Sequence, residues 1–179
     1  MIILKNSKEC KRFKIDFTKK VLNVNVDTVM VDMSNTEYSG WDVTLRHSSF
    51  LSIGNDSKIN VSWGCTINCG SYCKVMTAQK CNIVCGYSSY IRCRDKSYLQ
   101  IGCHNEVHVN NDCIIRIDTF TTGTNSFTLG DNNILYFRKF DLILKNKFIH
   151  YGKNNVIICG DGTKLQMDKS FRQLLSMCD

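Results

Sequence analysis

The chain carries an octapeptide repeat, and this repeat is what most constrains its fold. A branched aliphatic residue occupies every eighth position from residue 43 to residue 115. Because Val, Ile and Leu make up about a quarter of the chain, ten hits in one register would arise by chance on the order of once in a million tries, and a fixed period indicates stacked repeats. The series is Val43, Leu51, Ile59, Ile67, Val75, Ile83, Ile91, Leu99, Val107 and Ile115.

The other positions of the octad predict a short strand followed by a corner. With the positions lettered a to h and the aliphatic residue at c, position a is mostly Ser or Cys and position e is apolar or small. Positions b and d are polar or mixed, so a, c and e point inward and b and d outward, which is the period of a strand. Positions f to h hold Gly, Asn, Asp, Lys, Ser and Tyr, which suit a turn.

Glycine at position f adds a second period, of sixteen residues. Gly54, Gly70, Gly86 and Gly102 recur in alternate octads. With two octads per coil they stack in one column, where the backbone needs either a positive φ or a close approach. The sequence therefore predicts an all-β fold, a two-sheet β-solenoid with about sixteen residues per coil, rather than a three-sided one.

Changes in the repeat pattern along the chain predict three regions. Residues 1–40 are expected to form a strand-rich N-terminal cap, residues 41–137 the solenoid, and residues 138–179 further strands and a capping helix. Within the solenoid the register slips by four residues after Asp118, through Thr121 to Thr124, and an insertion at a corner explains the slip.

Beyond this insertion, three stretches are interpreted as strands that have lost the octad: Ile134–Phe137, Asp141–Leu144 and Asn155–Cys159. The pattern then becomes helical from Asp168, a suitable N-cap residue that is followed by Phe171 on an apolar face.

Seven of the eleven cysteines occupy the inward a or e positions, which favours free thiols packed as small hydrophobic groups. Cysteines four residues apart on an extended strand, such as Cys69 and Cys73, would lie roughly 13 Å apart and could not share one zinc ion. Pairs one coil apart, such as Cys69 with Cys85, come close enough for a disulfide or a soft metal ion. We expect neither a metal nor any other cofactor.

Strings such as CTINCGSY (65–72), CNIVCGYS (81–88) and SFLSIGND (49–56) resemble the octapeptide repeats, commonly C-T-F-N-T-G-x-x, of uncharacterised proteins of bacteriophages and mobile elements. The resemblance covers roughly residues 39–130, with Ile or Val in place of Phe at position c. It implies a phage-like origin and brings no established activity with it.

No catalytic constellation is evident, so we expect a protein that is not an enzyme. The hexapeptide acyltransferases also have short β-solenoid repeats, but their period is six residues and the period here is eight. His47, His104 and His108 fall at corners or at an outward strand position. Cys103 beside His104 lacks a third group that would orient the pair. A hexapeptide-like acyltransferase is the least favoured alternative.

The formal charge of +7 is concentrated in the segments before and after the repeats. This makes nucleic acid a possible partner, but without interleaved aromatic residues it is not the favoured one. The chain begins with no apolar leader and contains no stretch of about 18 apolar residues, so we expect no membrane association and a place in the host cytoplasm.

A coil of sixteen residues predicts two unlike broad faces. One is nearly uncharged and is expected to bind a partner through Phe50, Val84, Tyr98 and Ile114. The other is a basic comb with Lys58, Lys74, Arg92 and Lys96. The favoured function is a phage-like binding protein that inhibits a host or anti-phage defence protein. The uncharged face would support either a homo-oligomer or a tight complex with the partner. The alternatives are a virion structural component and a nucleic-acid-binding protein.

Overall fold

The computed structural model describes residues 13–34, 39–118 and 123–176, and it consists almost entirely of two nine-stranded sheets, A and B. Sheet A contains β1 (Phe13–Asp16), β2 (Val21–Val24), β4 (Asp42–Leu45), β6 (Lys58–Val61), β8 (Lys74–Thr77), β10 (Tyr90–Cys93), β12 (Glu106–Val109), β14 (Ser126–Leu129) and β16 (Lys147–Tyr151). Sheet B contains β3 (Met30–Met33), β5 (Phe50–Ile53), β7 (Thr66–Cys69), β9 (Asn82–Cys85), β11 (Tyr98–Ile101), β13 (Ile114–Ile117), β15 (Ile134–Phe137), β17 (Val156–Cys159) and β18 (Lys164–Gln166). The helices are α1 (Asp141–Leu144) and α2 (Lys169–Ser176).

From β2 to β17, successive strands alternate between the two sheets, so two octads make one coil. Each strand pairs in parallel with the strand one coil away; Ile59 of β6, for example, lies opposite Val75 of β8, sixteen residues later. The four glycines of the column all directly follow strands of sheet B, namely β5, β7, β9 and β11. The predicted two-sheet β-solenoid with sixteen residues per coil is confirmed.

The core lies between the sheets and is built from the inward positions of each octad. All ten aliphatic residues at position c have 0% exposure, from Val43 to Ile115. Burial of one such side chain contributes about 1.5–3 kcal/mol, so the column of c residues is the main apolar driving force for stacking the coils.

Position a forms hydrogen bonds that run between coils, which we call the corner ladder. In sheet A, Ser89 accepts a bond from the N–H of Cys73 (3.0 Å) and donates its own N–H to Asn105 (2.8 Å). In sheet B, the Cys81 thiol donates to the carbonyl of Ser62 at 3.2 Å, and Cys113 donates to that of Arg94 at 3.2 Å. Small residues with a donor or an acceptor therefore suit position a, because they satisfy backbone groups buried at the corners.

The thiols of the core are suited to this role as donors. All seven inward cysteines are buried, and each of them is a free thiol. Burial raises the pKa of the Cys113 thiol to about 11 and that of Cys93 still further. Because both stay protonated near neutral pH, Cys113 keeps the S–H bond that it donates to the corner.

Both ends of the solenoid carry capping elements. At the N-terminal end, β1 adds to β2 in antiparallel orientation, and β2 and β3 already belong to the parallel stack before the octads begin. At the other end, β18 adds to β17 in antiparallel orientation. Helix α2 packs Phe171 edge-to-face against Phe148, with 5.4 Å between ring centroids. Asp168 caps α2 by accepting the N–H groups of Ser170 (2.8 Å) and Phe171 (3.2 Å), as the sequence predicted.

The interpretation of Asp141–Leu144 as a strand is wrong, because these residues form helix α1. The helix lies in the connection that carries the chain from β15 in sheet B to β16 in sheet A, and it buries Ile143 completely. A run of four residues with three apolar ones is too short for periodicity to separate a helix from a strand. The sequence analysis also missed β16 and β18.

Left-handed backbone recurs at position h, and not at the glycines of position f. Every eighth residue from Gly40 to Asp112 has φ between +52° and +76°. The glycines at f are needed instead for a close approach: a Cβ on Gly102 would lie 3.0 Å from the carbonyl oxygen of Gly86. Of the two reasons considered for the glycine column, close approach is the one that applies.

We expect Lys80→Gly to stabilise the protein by about 0.5–1 kcal/mol. Lys80 is exposed and has φ +58°, a left-handed conformation that costs a residue with a Cβ roughly 1–2 kcal/mol. Glycine removes this strain but loses more backbone entropy on folding, so the net gain is smaller than the strain energy. The control is Lys74→Gly within β8, where glycine should destabilise the strand. Urea unfolding measures both changes, and equal destabilisation by the two variants would contradict the assignment of strain to position h.

Candidate partner-binding face

The outer face of sheet B contains the four residues predicted to bind a partner, but only three of them lie close together. Tyr98 and Ile114 are direct cross-strand neighbours, and Val84 lies one strand from Tyr98. Phe50 lies two strands further along the sheet, beyond Thr66, where it neighbours Met30 instead. The compact part of the predicted site is therefore Val84, Tyr98 and Ile114.

The apolar surface continues past Ile114 through residues that the sequence analysis did not include. Ile134 lies opposite Ile114, Tyr136 opposite Arg116, and Val156 opposite Ile134. Tyr136 is 39% exposed, similar to Val84 at 41% and Ile114 at 36%. Carrying the inward and outward alternation across the four-residue slip would have found them, since Asn133 resumes position a and Ile134 position b. We call the outward residues of the sheet B strands β9, β11, β13, β15 and β17 the apolar face.

Between Trp41 and Phe137, most of the positive charge lies on sheet A and at the corners that follow its strands. All lysines between Trp41 and Phe137 lie on strands of sheet A or at the corners that follow those strands: Lys58, Lys74, Lys80 and Lys96. Three of the four arginines in this range share that distribution, and Arg116 is the one that lies in sheet B. The apolar face thus has no lysine in its described residues, while its edge exposes Tyr72 and Tyr87, whose rings meet edge-to-face at 5.3 Å.

The predicted basic comb on sheet A is interrupted by carboxylates. Lys58 forms an ion pair with Asp42 (2.8 Å), and Lys74 lies over the ring of Tyr90, 5.5 Å from its centroid. Glu106 lies in the same row and contacts His108 at 2.7 Å. Arg92 lies on β10 between these groups, and Lys96 lies at the following corner. The face therefore carries groups of both signs, and one of its lysines is paired with a carboxylate.

Three thiols are closer together than the sequence suggested. The estimate of roughly 13 Å between Cys69 and Cys73 assumed one extended strand, but a corner reverses the chain between them. Hydrogen bonds with Cys73 and Cys85, together with burial, raise the pKa of the Cys69 thiol well above its ordinary value. Even so, no group of three Cys, His, Asp or Glu side chains is placed to hold a metal ion within residues 13–34, 39–118 and 123–176.

The histidines lie in separate local environments. The ring of His47 stacks on Trp63 with 5.0 Å between centroids, His104 has a left-handed backbone at a corner, and His108 contacts Glu106. These arrangements place each ring in a different part of the solenoid.

Comparison of the chain with models of known protein families, with curated proteins and with solved structures gives no match. Among the described residues, neither helix is long and apolar enough to cross a membrane. The fold defines the chain as a two-sheet β-solenoid with antiparallel end strands and a short C-terminal helix.

Proposed function

We propose that this chain is a non-enzymatic binding protein that holds a protein partner on the apolar face of sheet B. The observation that carries the proposal is the segregation of charge: the apolar face has no lysine, whereas all four lysines between Trp41 and Phe137 lie on sheet A or at its corners. Lysine is depleted at protein interfaces, and tyrosine and arginine are enriched. The apolar face has this composition, with Tyr98, Tyr136 and a single arginine, Arg116.

The shape of the face supports the same function. The backbone of sheet B is held in place by the completely buried inward residues Ile83, Ile115 and Leu135, which neighbour Val84, Ile114 and Tyr136 on their strands. A backbone that is already ordered loses little conformational entropy on binding, so more of the buried apolar area contributes to affinity. Contiguous exposed apolar surface on a folded domain usually marks an association site.

The interruption of the basic comb argues against a nucleic-acid-binding role for sheet A. A phosphate backbone carries one charge every few ångströms, and a protein that follows it needs a continuous row of cations. Here Asp42 and Glu106 lie in that row and contact Lys58 and His108. The charged groups of sheet A are better suited to a solvated surface.

We further propose that the partner is a host or anti-phage defence protein, which the chain inhibits by occupying its surface in the cytoplasm. Support for this step comes from the resemblance of the octads to those of phage and mobile-element proteins. A second copy of the chain and a virion protein are the alternatives, and the experiment below distinguishes them.

The test is capture from bacterial lysate with a double variant, Val84→Asp and Ile114→Asp. Both residues are exposed, so the fold should persist, but two carboxylates on the apolar face should weaken partner binding at least tenfold. The matched control places two carboxylates at outward positions of sheet A, with Thr44→Asp and Met76→Asp, which lie two strands apart as Val84 and Ile114 do. We expect one stoichiometric host protein to be captured by the wild type and the control, and lost with the double variant.

Three results would overturn the proposal. Equal capture by the double variant and its control would exclude the apolar face. A dimer in sedimentation that dissociates only in the double variant, with no captured host protein, would assign the face to a second copy. The third result is capture of nucleic acid that is lost in the variant with Lys58→Glu, Lys74→Glu and Arg92→Glu. If the affinity for nucleic acid also depends less on salt in this variant, the binding surface is sheet A.

A further inference from the structure

A cavity of about 670 Å³ lies at one edge of sheet B, where strands β11, β13, β15 and β17 contribute to its walls. Its lining residues are Tyr98, Arg116, Ile117, Asp118, Tyr136, Phe137, Arg138, Cys159 and Gly160. Pockets that bind small molecules typically enclose about 300–1,000 Å³, so this cavity has the size of a small-ligand site and exceeds what one side chain of a partner would fill.

The cavity lies where the repeat is broken. The connection from β11 to β12 has the regular four residues, 102–105, whereas the next two connections from sheet B to sheet A span eight residues, 118–125, and nine residues, 138–146. At the same corner, Asp118 and Arg138 replace the glycine of position f. Insertions in a solenoid gather on one side and commonly mark its binding surface.

Arg116 lines the cavity with a side chain that is 57% exposed and is paired with Asp118. Its Nε donates to Asp118 Oδ1 at 2.8 Å. The other carboxylate oxygen of Asp118 accepts a hydrogen bond from Gln100. Because both oxygens of Asp118 already have donors, Asp118 orients the guanidinium of Arg116, whose terminal nitrogens provide further donors for a ligand.

The lining combines net positive charge with aromatic rings. Arg116 and Arg138 supply two guanidinium groups against the single carboxylate of Asp118. Guanidinium groups bind phosphate oxygens through paired hydrogen bonds, and tyrosine rings stack on planar heterocycles. Tyr98 and Tyr136 lie on either side of the strand that carries Arg116.

We propose that this cavity binds a small ligand that joins a planar ring to a phosphate group, the chemistry of a nucleoside monophosphate. Arg116 binds the phosphate, and Tyr98 and Tyr136 contact the ring. The cavity shares Tyr98, Arg116 and Tyr136 with the apolar face. Its test needs no protein partner, so nucleotide binding and partner capture can fail separately.

Isothermal titration of the folded 179-residue chain with adenosine and guanosine 5′-monophosphate tests the proposal, with adenosine and inorganic phosphate as separate probes. We expect at least one nucleotide to bind tenfold or more tightly than either the nucleoside or phosphate alone. Arg116→Gln should remove that advantage. The matched control, Arg94→Gln, changes an exposed arginine at a corner of sheet A and should leave nucleotide affinity unchanged.

A second pair of variants tests the role of the ring. Tyr136→Leu should weaken nucleotide binding about tenfold, whereas Tyr136→Phe should preserve it, because stacking needs the ring and not the hydroxyl. Circular dichroism and thermal unfolding verify that each variant is folded. Absence of nucleotide binding by the folded wild type, equal affinity for inorganic phosphate, or equal effects of Arg116→Gln and Arg94→Gln would each overturn the proposal.

Discussion

Replacing Asn133 with alanine is expected to destabilise the protein by about 4 kcal/mol. Asn133 has 0% exposure, and its side chain links two coils. Oδ1 accepts the N–H of Cys113 at 2.8 Å, and Nδ2 donates to the carbonyl of Asn110 at 2.9 Å. Alanine leaves both of these backbone groups without a partner, and a buried unsatisfied polar group costs roughly 1–3 kcal/mol.

Two further variants separate the hydrogen bonds of Asn133 from its volume. Asn133→Ser should recover part of the loss, because Ser89 shows that a hydroxyl at position a can accept the N–H from the preceding coil. Asn68→Ala removes an exposed asparagine from β7 in the same sheet and should change stability little. Equilibrium unfolding in urea measures all three, and a loss below about 1 kcal/mol for Asn133→Ala would contradict a structural role for the corner ladder.

The corner ladder also explains a part of the sequence that periodicity alone left without a reason. Serine, cysteine and asparagine at position a could be identified as inward-facing from the alternation of the octad. Their purpose became visible only in the structure, because the bonds join residues about sixteen positions apart, such as Ser89 and Cys73. The cysteines at position a suit the same geometry, since a buried thiol there both packs as an apolar group and donates to a corner carbonyl.

The repeat predicted the fold well because every coil contributes the same evidence. Ten octads placed the c residues in the core and put Val84 and Tyr98 on one face, since an outward position and its sheet follow directly from register. Features that occur only once were not predictable in this way. Helix α1 is a single short turn, and the outward positions of Ile134 and Tyr136 follow only when the register is carried across the four-residue insertion.

The cavity at the edge of sheet B could not be predicted from the repeat for a related reason. Tyr98 was assigned correctly to the outward surface, but Arg138 and Gly160 lie beyond the four-residue slip in the repeat. Only the stacking of β13, β15 and β17 brings these side chains together. Because the cavity forms where the repeat is interrupted, the octad pattern alone does not predict it.

Gly130→Ala is expected to destabilise the protein by about 3 kcal/mol. Gly130 follows β14 at a corner where other coils have Ser62, Ala78 or Asn110, so glycine is not a general requirement of that corner. At Gly130, however, an added Cβ would lie 2.8 Å from both the carbonyl carbon and the oxygen of Asn110. These are backbone atoms, and they cannot move aside without disturbing the bond that Asn110 accepts from Asn133.

The control for Gly130→Ala is Asn110→Ala, one coil away at the same corner. Asn110 already carries a Cβ and its side chain is exposed, so truncation should leave stability nearly unchanged while its carbonyl still accepts the bond from Asn133. The double variant Gly130→Ala with Asn133→Ala should lose less than the sum of the two single losses, because both changes act on the same carbonyl. Additive losses in urea unfolding would show that the two residues stabilise the corner independently, and a small effect of Gly130→Ala alone would show that the coils can separate to admit a Cβ.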